Sequence, residues 1–225
     1  MIEFMNFERI PYLTLIIWGI LAVAFFVALF TRQWSNAFVT CVALLLTLLP
    51  TVFSNRFQIQ IPLSFLAAIS LFLFGTLFLG EIFDFYNKFW WWDVLLHGSS
   101  AVGFGIIGFL FVFYLFQGDR YNAPPWALAL IAFCVALSIG ALWEIFEFAM
   151  DEIFGLNMQK NGLQDTMWDL IVDTLGASFG AISGFLWLKE RSLGLSGMIE
   201  EFIQNNRSLF KRFSRAVKNK DSADK

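Results

Sequence analysis

Apolar residues come in six long runs, each broken only by small or hydroxyl residues and a few charges, and short polar segments separate them. Each run approaches or exceeds the roughly 20 residues that a helix needs to cross a hydrocarbon core. The runs extend from Ile10 to Phe30, Ala37 to Phe53, Ile61 to Gly80, Asp93 to Phe116, Pro125 to Met150 and Thr166 to Leu188. The pattern predicts an all-α polytopic membrane protein: a six-helix transmembrane domain over 1–188, then a basic amphipathic tail over 189–225. Pro11, Pro62 and Pro125 fall at predicted helix starts, where a missing backbone N–H costs nothing. Pro50 falls near the end of the second run and is expected to kink or terminate it. The first run is too long, and too closely followed by others, to read as a cleaved signal peptide.

Composition sharpens this reading. Of 225 residues, 58% are hydrophobic, 19% aromatic and 15% charged, against a charged share of about a quarter in soluble domains. A soluble domain, a disordered chain and a disulfide scaffold are all excluded. Cys41 and Cys134 lie inside apolar runs and read as buried thiols without a disulfide. With a net charge of -3, a nucleic-acid partner is not expected.

The cations set an orientation. Six spans place both termini on one side, with the loops near Arg56 and Arg120. That side collects Arg9, Arg56, Arg120 and the nine basic residues from Lys189 onward, twelve of the fifteen in the chain; Arg32, Lys88 and Lys160 fall opposite. By the positive-inside rule both termini are expected on the cytoplasmic side. The tail is net +4, so the preceding residues carry -7. Met198, Ile199, Phe202, Ile203, Phe210, Phe213 and Val217 recur in it at helical spacing. The expectation is an amphipathic helix lying on the anionic inner leaflet.

With this topology the acids gather in one layer, beneath the outer headgroups. Asp93 and His97 open the fourth helix, Glu144, Glu147 and Asp151 close the fifth, and Asp165, Asp169 and Asp173 open the sixth. Each set lies on one helical stripe, by its i, i+3, i+4 or i+8 spacing. On the sixth helix the stripe continues as Gly176, Gly180 and Gly184, the small-xxx-small surface on which membrane helices pack closely. The carboxylates are therefore expected to face the bundle interior. An acid at the centre of a span costs about 2.5–3.5 kcal/mol on insertion scales, and several together repel. Protonation or a bound cation must offset this. Carboxylates with one imidazole suit Mn²⁺, Mg²⁺, Ca²⁺, iron or Zn²⁺. The expected ligands are Asp93, His97, Glu144, Asp169 and Asp173, with a carboxylate such as Asp93 orienting the second ring nitrogen. Glu144 and Glu147 are the candidates for a catalytic general base. Asp165 is placed to cap the sixth helix and Asp151 to bind loop amides. Glu81 and Asp84 read as an interfacial turn, and Trp90, Trp91, Trp92, Trp143 and Trp168 as an aromatic belt.

The segments Trp92-Asp93-Val94-Leu95-Leu96-His97, Trp143-Glu144-Ile145-Phe146-Glu147, Asp165-Thr166-Met167-Trp168-Asp169 and Asp173-Thr174-Leu175-Gly176 resemble the YjdF-type inner-membrane proteins, which have no established activity. More distantly the chain is similar to the VanZ-like family. On that resemblance Asp93, His97, Glu144, Asp169, Thr174, Gly176 and Gly180 correspond. Val94, Glu147 and Asp173 stand where the VanZ-like pattern has Lys, Gln and Asn, which makes this site more acidic. The resemblance covers roughly residues 80–188 and implies a cell-envelope role.

Three functional classes fit the residues. The first is a metal-dependent enzyme acting on membrane lipids or a lipid-linked envelope precursor, where a cation activates water or polarises a phosphoryl oxygen. The second is an ion- or proton-coupled transporter, although the inner halves of the last three spans offer little beyond Ser99, Ser100, Ser178 and Ser183. The third is a non-catalytic envelope protein that binds lipid or a partner.

Overall fold

A computed structural model describes residues 10–116, 123–191 and 194–210. Among these residues there is no strand, and six helices are long and apolar enough to cross a membrane. The chain divides into two compact units, Met1–Trp92 and Asp93–Lys225.

The first unit holds α1 (Tyr12–Phe30), α2 (Trp34–Phe57), α3 (Leu63–Leu73) continued by wide π turns over Phe74–Ile82, and the short α4 (Phe85–Lys88). Pro11 and Pro62 precede α1 and α3 as extended residues, as their fixed φ favours. Pro50 does not end α2, which runs four-and-more residues past it to Phe57. In a bilayer no water competes for the backbone, so the helix stays closed around one missing N–H. Ile17, Leu21, Ala43 and Phe78 form the core of this unit. Buried hydroxyls bond across or along its helices: Thr14 Oγ1 donates to Ser70 Oγ at 3.0 Å, and Ser70 Oγ to the Leu66 carbonyl at 2.9 Å. The π turns end where the Phe83 amide reaches back to Phe78. Beyond them Asp84 adopts φ 59° and accepts from Asn87 Nδ2 at 2.6 Å, with Glu81 and Asp84 both exposed. Asp84 thus lies in the polar turn expected there, while Glu81 belongs to the last of the π turns.

The second unit holds α5 (Trp92–Phe116, from Asp93 on), α6 (Pro125–Phe154), α7 (Leu163–Leu188) and α8 (Ser196–Asn205). Its three long helices meet backbone to backbone. A methyl added at Gly176 would lie 2.6 Å from the Gly98 carbonyl oxygen of α5, and one at Gly180 the same distance from that of Val102. Gly108 faces the Ala132 carbonyl of α6 at 3.0 Å, and Gly184 leaves room for the Phe109 ring. The expected glycine seam of the last span is thus the α5–α7 interface. Large side chains such as Phe111, Leu130, Leu142, Ile145, Leu175 and Ile182 point outward, as spans facing lipid require.

At the end of α7 away from its acids, Phe109, Phe113, Trp187 and Phe210 pack ring on ring. The amphipathic helix forms as expected, but α8 does not present its apolar stripe to a leaflet. Ile199, Ile203 and Phe210 are buried in the core of the unit, and the Trp187 indole donates to Glu200 Oε2 at 2.8 Å. The protein's own aromatic cluster covers the surface that lipid would otherwise cover. Phe213 and Val217, like Arg9 and Arg120, lie outside the described residues. The thiols correct a further expectation. Cys41 is half-buried and Cys134 exposed, both free, because apolar positions on a span face lipid as readily as protein.

Candidate metal centre

The acids converge as the stripes require. His97 stands one turn into α5 from Asp93 and is buried. Glu144 comes from α6, and Asp169 and Asp173 from successive turns of α7; all three are at least 96% buried. His97 lies among them. Its Nε2 is 3.9 Å from Asp93 Oδ1 and 3.9 Å from Glu144 Oε1. Its Nδ1 is 3.4 Å from Asp173 Oδ1 and 3.5 Å from Asp173 Oδ2. Asp93, His97 and Asp169 each offer a ligand atom within 4.8 Å of the others. The carboxylate beside the second ring nitrogen is therefore Asp173, where the sequence suggested one such as Asp93.

These spacings are informative because of what they are not. A neutral hydrogen bond from a ring N–H closes at about 2.9 Å, so the two 3.9 Å contacts are not hydrogen bonds. Two ligands of one ion, in contrast, lie about 3.3–3.6 Å apart around tetrahedral Zn²⁺, and up to about 4.0–4.2 Å around octahedral Mg²⁺ or about 4.6–5.2 Å around Ca²⁺. The separations around His97 fall within or close to that range. Neither oxygen of Glu144 has a hydrogen-bond partner, nor has Asp173 Oδ1, although all three atoms are buried. A buried carboxylate without a donor or counter-charge costs several kcal/mol. The donor set fits a divalent cation, which would supply the charge these oxygens lack.

The backbone explains how so many acids can meet. Gly98 and Gly176 bring α5 and α7 into contact just beneath His97 and Asp173. On α6, Gly140 lies one turn before Glu144, and a Cβ there would fall on the Asp173 carboxylate. Gly140 is a site residue that the sequence reading missed. It carries no chemistry, and only knowledge of what faces it across the helix pair reveals its part.

The connection between α6 and α7 is tied down over this cluster. Asp151 accepts the Met158 and Gln159 amides at 2.7 and 2.9 Å, as anticipated for a loop-binding acid. Asp165 does not cap the helix. Gly162 occupies the N-cap, in a positive-φ conformation that favours glycine, and Asp165 instead accepts the Lys160 amide at 3.1 Å. Gln159 Nε2 donates to Thr166 Oγ1 at 2.6 Å, a second contact missed in the sequence because a glutamine in a loop carries no signal of its own. Glu147 is half-buried one turn beyond Glu144, and its Oε1 accepts the Trp143 indole N–H at 2.9 Å. Trp143, expected as an aromatic-belt residue, is thus a hydrogen-bond donor to an acid.

Residues 13–190 match the family model described as "Predicted membrane protein (DUF2238)". The chain belongs to that family. It is also 36% identical over 98 residues to an uncharacterized protein of Thermotoga maritima, across 44% of this chain and 50% of that one. The match thus spans about half the length of that relative. No solved structure matches the chain.

Proposed function

We propose that this DUF2238 membrane protein binds a divalent cation between α5, α6 and α7, and uses it in cell-envelope or lipid metabolism. The observation that carries the reading is Glu144, a carboxylate at 3% exposure with both oxygens unpartnered, 3.9 Å from His97 Nε2. Ionisable groups kept inside a membrane bundle are functional by default, because insertion selects against them. Here a buried acid has no donor to satisfy it, while a potential ligand atom faces it at inter-ligand spacing. Asp93, His97, Asp169 and Glu144 surround the cation in this reading, with Asp173 behind the imidazole. A bound divalent ion supplies Lewis acidity toward a phosphoryl or carbonyl oxygen, or acidifies water.

The residues of the chain do the rest. Glu144, within the cluster, and Glu147, steadied by the Trp143 indole, are the two acids we assign to proton transfer. The distribution of Lys and Arg supports a bacterial inner-membrane protein with both termini cytoplasmic. The cluster would then lie under the outer leaflet, within reach of a headgroup or a lipid-linked precursor. The motif resemblance to YjdF-type and VanZ-like proteins supports the envelope setting.

The direct test is metal analysis of detergent-purified full-length protein, after exposure to Mn²⁺, Mg²⁺, Ca²⁺, Fe²⁺ or Zn²⁺ and removal of free ion. Wild type is expected to retain one of these ions stoichiometrically, and His97→Ala/Asp169→Ala to retain none. A wild-type protein that folds and holds none of the five overturns the reading. Cation uptake into proteoliposomes that Asp169→Asn abolishes would instead assign the site to transport.

A further inference from the structure

The two nitrogens of His97 face different surroundings. Nε2 looks toward Asp93 and Glu144, each 3.9 Å away, too far for a hydrogen bond and at the spacing of two ligands on one ion. Nδ1 lies beside Asp173, whose oxygens are 3.4 and 3.5 Å away. This is a loose hydrogen bond that a shift of a few tenths of an ångström would close. Asp173 is 2% exposed and lies against the bare backbone of Gly140, where any side chain would occupy the place of its carboxylate. Gly140 and Glu144 stand one turn apart on α6. One face of that helix therefore leaves a recess for Asp173 and, a turn further, offers an acid on the other side of the ring.

Resting on the cation-binding reading, we propose that Asp173 is a positioning residue and not a ligand. It accepts the Nδ1–H of neutral His97 and so leaves the Nε2 lone pair directed at the cation shared with Asp93, Glu144 and Asp169. Gly140 provides the recess in which it does so. A carboxylate behind a metal-bound histidine fixes the tautomer and the ring orientation and raises the basicity of the ligand nitrogen; losing such a partner typically weakens metal binding 10–100-fold. The assignment separates Asp173 from the four proposed ligands, where the spacing of the sequence made Asp169 and Asp173 look equivalent.

His97 is the only histidine in the chain, so ¹⁵N-histidine labelling reports on this ring alone. In full-length protein in detergent, titrated with diamagnetic Zn²⁺, Nδ1 is expected to keep its proton and Nε2 to shift as the coordinated nitrogen. Asp173→Ala is expected to weaken Zn²⁺ binding 10–100-fold at unchanged stoichiometry. Asp173→Asn, whose amide oxygen can still accept the Nδ1–H, is expected to stay within a few-fold of wild type, whereas Asp169→Asn loses binding far more. Gly140→Ala, by displacing the carboxylate, is expected to resemble Asp173→Ala. Zn²⁺ on Nδ1 with the proton on Nε2 overturns the assignment, as does Asp173→Asn losing the ion as completely as Asp169→Asn. If Zn²⁺ and the other four ions move neither nitrogen of a folded protein, the cation reading itself fails and the assignment falls with it.

Discussion

The two units solve the same problem, polar groups inside apolar helices, in opposite ways. In the first, the buried groups are mostly hydroxyls, and these close on the helix itself. Thr40 donates to the Asn36 carbonyl at 2.7 Å, Thr47 to that of Leu44 at 2.8 Å, and Thr14 reaches Ser70, which donates to Leu66. A hydroxyl carries its own proton and so can share a carbonyl that the helix already uses. The second unit buries a few such groups too, Ser183 donating to the Phe179 carbonyl at 2.8 Å, but it also buries Glu144, Asp169 and Asp173 around one imidazole. An ionised carboxylate only accepts, and a helix interior has no spare N–H to give it. Among the described residues of the first unit, the buried atoms left without a partner are two indole N–H donors, of Trp18 and Trp92, and no carboxylate oxygen. In the second, the unpartnered atoms are carboxylate oxygens, of Glu144 and Asp173, and this difference is what supports placing the proposed cation in that half.

The contrast can be broken most directly with a cation. At a free ion concentration 100-fold above Kd, the protein is expected to gain about 2.7 kcal/mol against unfolding. Thermal denaturation in detergent, followed by tryptophan fluorescence, reads this gain. His97→Ala should gain nothing, while Thr14→Val should gain as much as wild type. Equal gains in wild type and His97→Ala would show that the ion acts elsewhere.

A smaller effect tests the frame that holds the acids. Gly180→Val places a branched side chain against the Val102 carbonyl and the Gly105 Cα. It is expected to cost about 1–3 kcal/mol by overpacking and to weaken cation binding with it. The same change at Gly19, where a Cβ meets nothing within 4 Å, should do neither. If Gly180→Val unfolds no earlier than wild type, the α5–α7 seam is not the rigid element described above.

Removing the indole donor with Trp187→Phe should cost about 1 kcal/mol, because Glu200 Oε2 loses the indole N–H while Gln204 still donates to Oε1 and the ring packing survives. Limited proteolysis is expected to release the segment after α7 sooner in this variant, with cation affinity unchanged. The smallest change expected is at Thr14→Val. Interhelical hydrogen bonds in membranes average about 0.6 kcal/mol, so the melting temperature should fall slightly. A loss of several kcal/mol there would mean that the first unit also depends on a buried polar network.

Much of this was legible in the chain. The six spans follow from run length, and Asp93/His97, Glu144 and Asp169/Asp173 follow from helical spacing plus the glycine seam that fixes their direction. What spacing cannot carry is identity across a helix pair. Gly140 looks like any small residue until Asp173 is seen opposite it. The wide turns over Phe74–Ile82 leave no mark in an apolar run, because hydropathy is blind to one extra residue per turn. The stripe of Ile199, Phe202 and Ile203 announces a surface to be covered, yet lipid and a protein core satisfy it equally. Cys134 departs from expectation for a related reason: a bilayer accepts an apolar thiol on the outside of a span, as it accepts Pro50 within α2 without ending it.

The glycine seam has one more consequence. Most ion sites can breathe, since rotamers between neighbouring helices yield when a larger ion enters. Under His97 and Asp173 no such cushion exists between α5 and α7, where main chain rests on main chain at Gly98, Gly176 and Gly180. The gauge between the α5 residues Asp93 and His97 and the α7 residue Asp169 is therefore set by polypeptide thickness, and the cation we propose there would have to suit a frame with little room to widen.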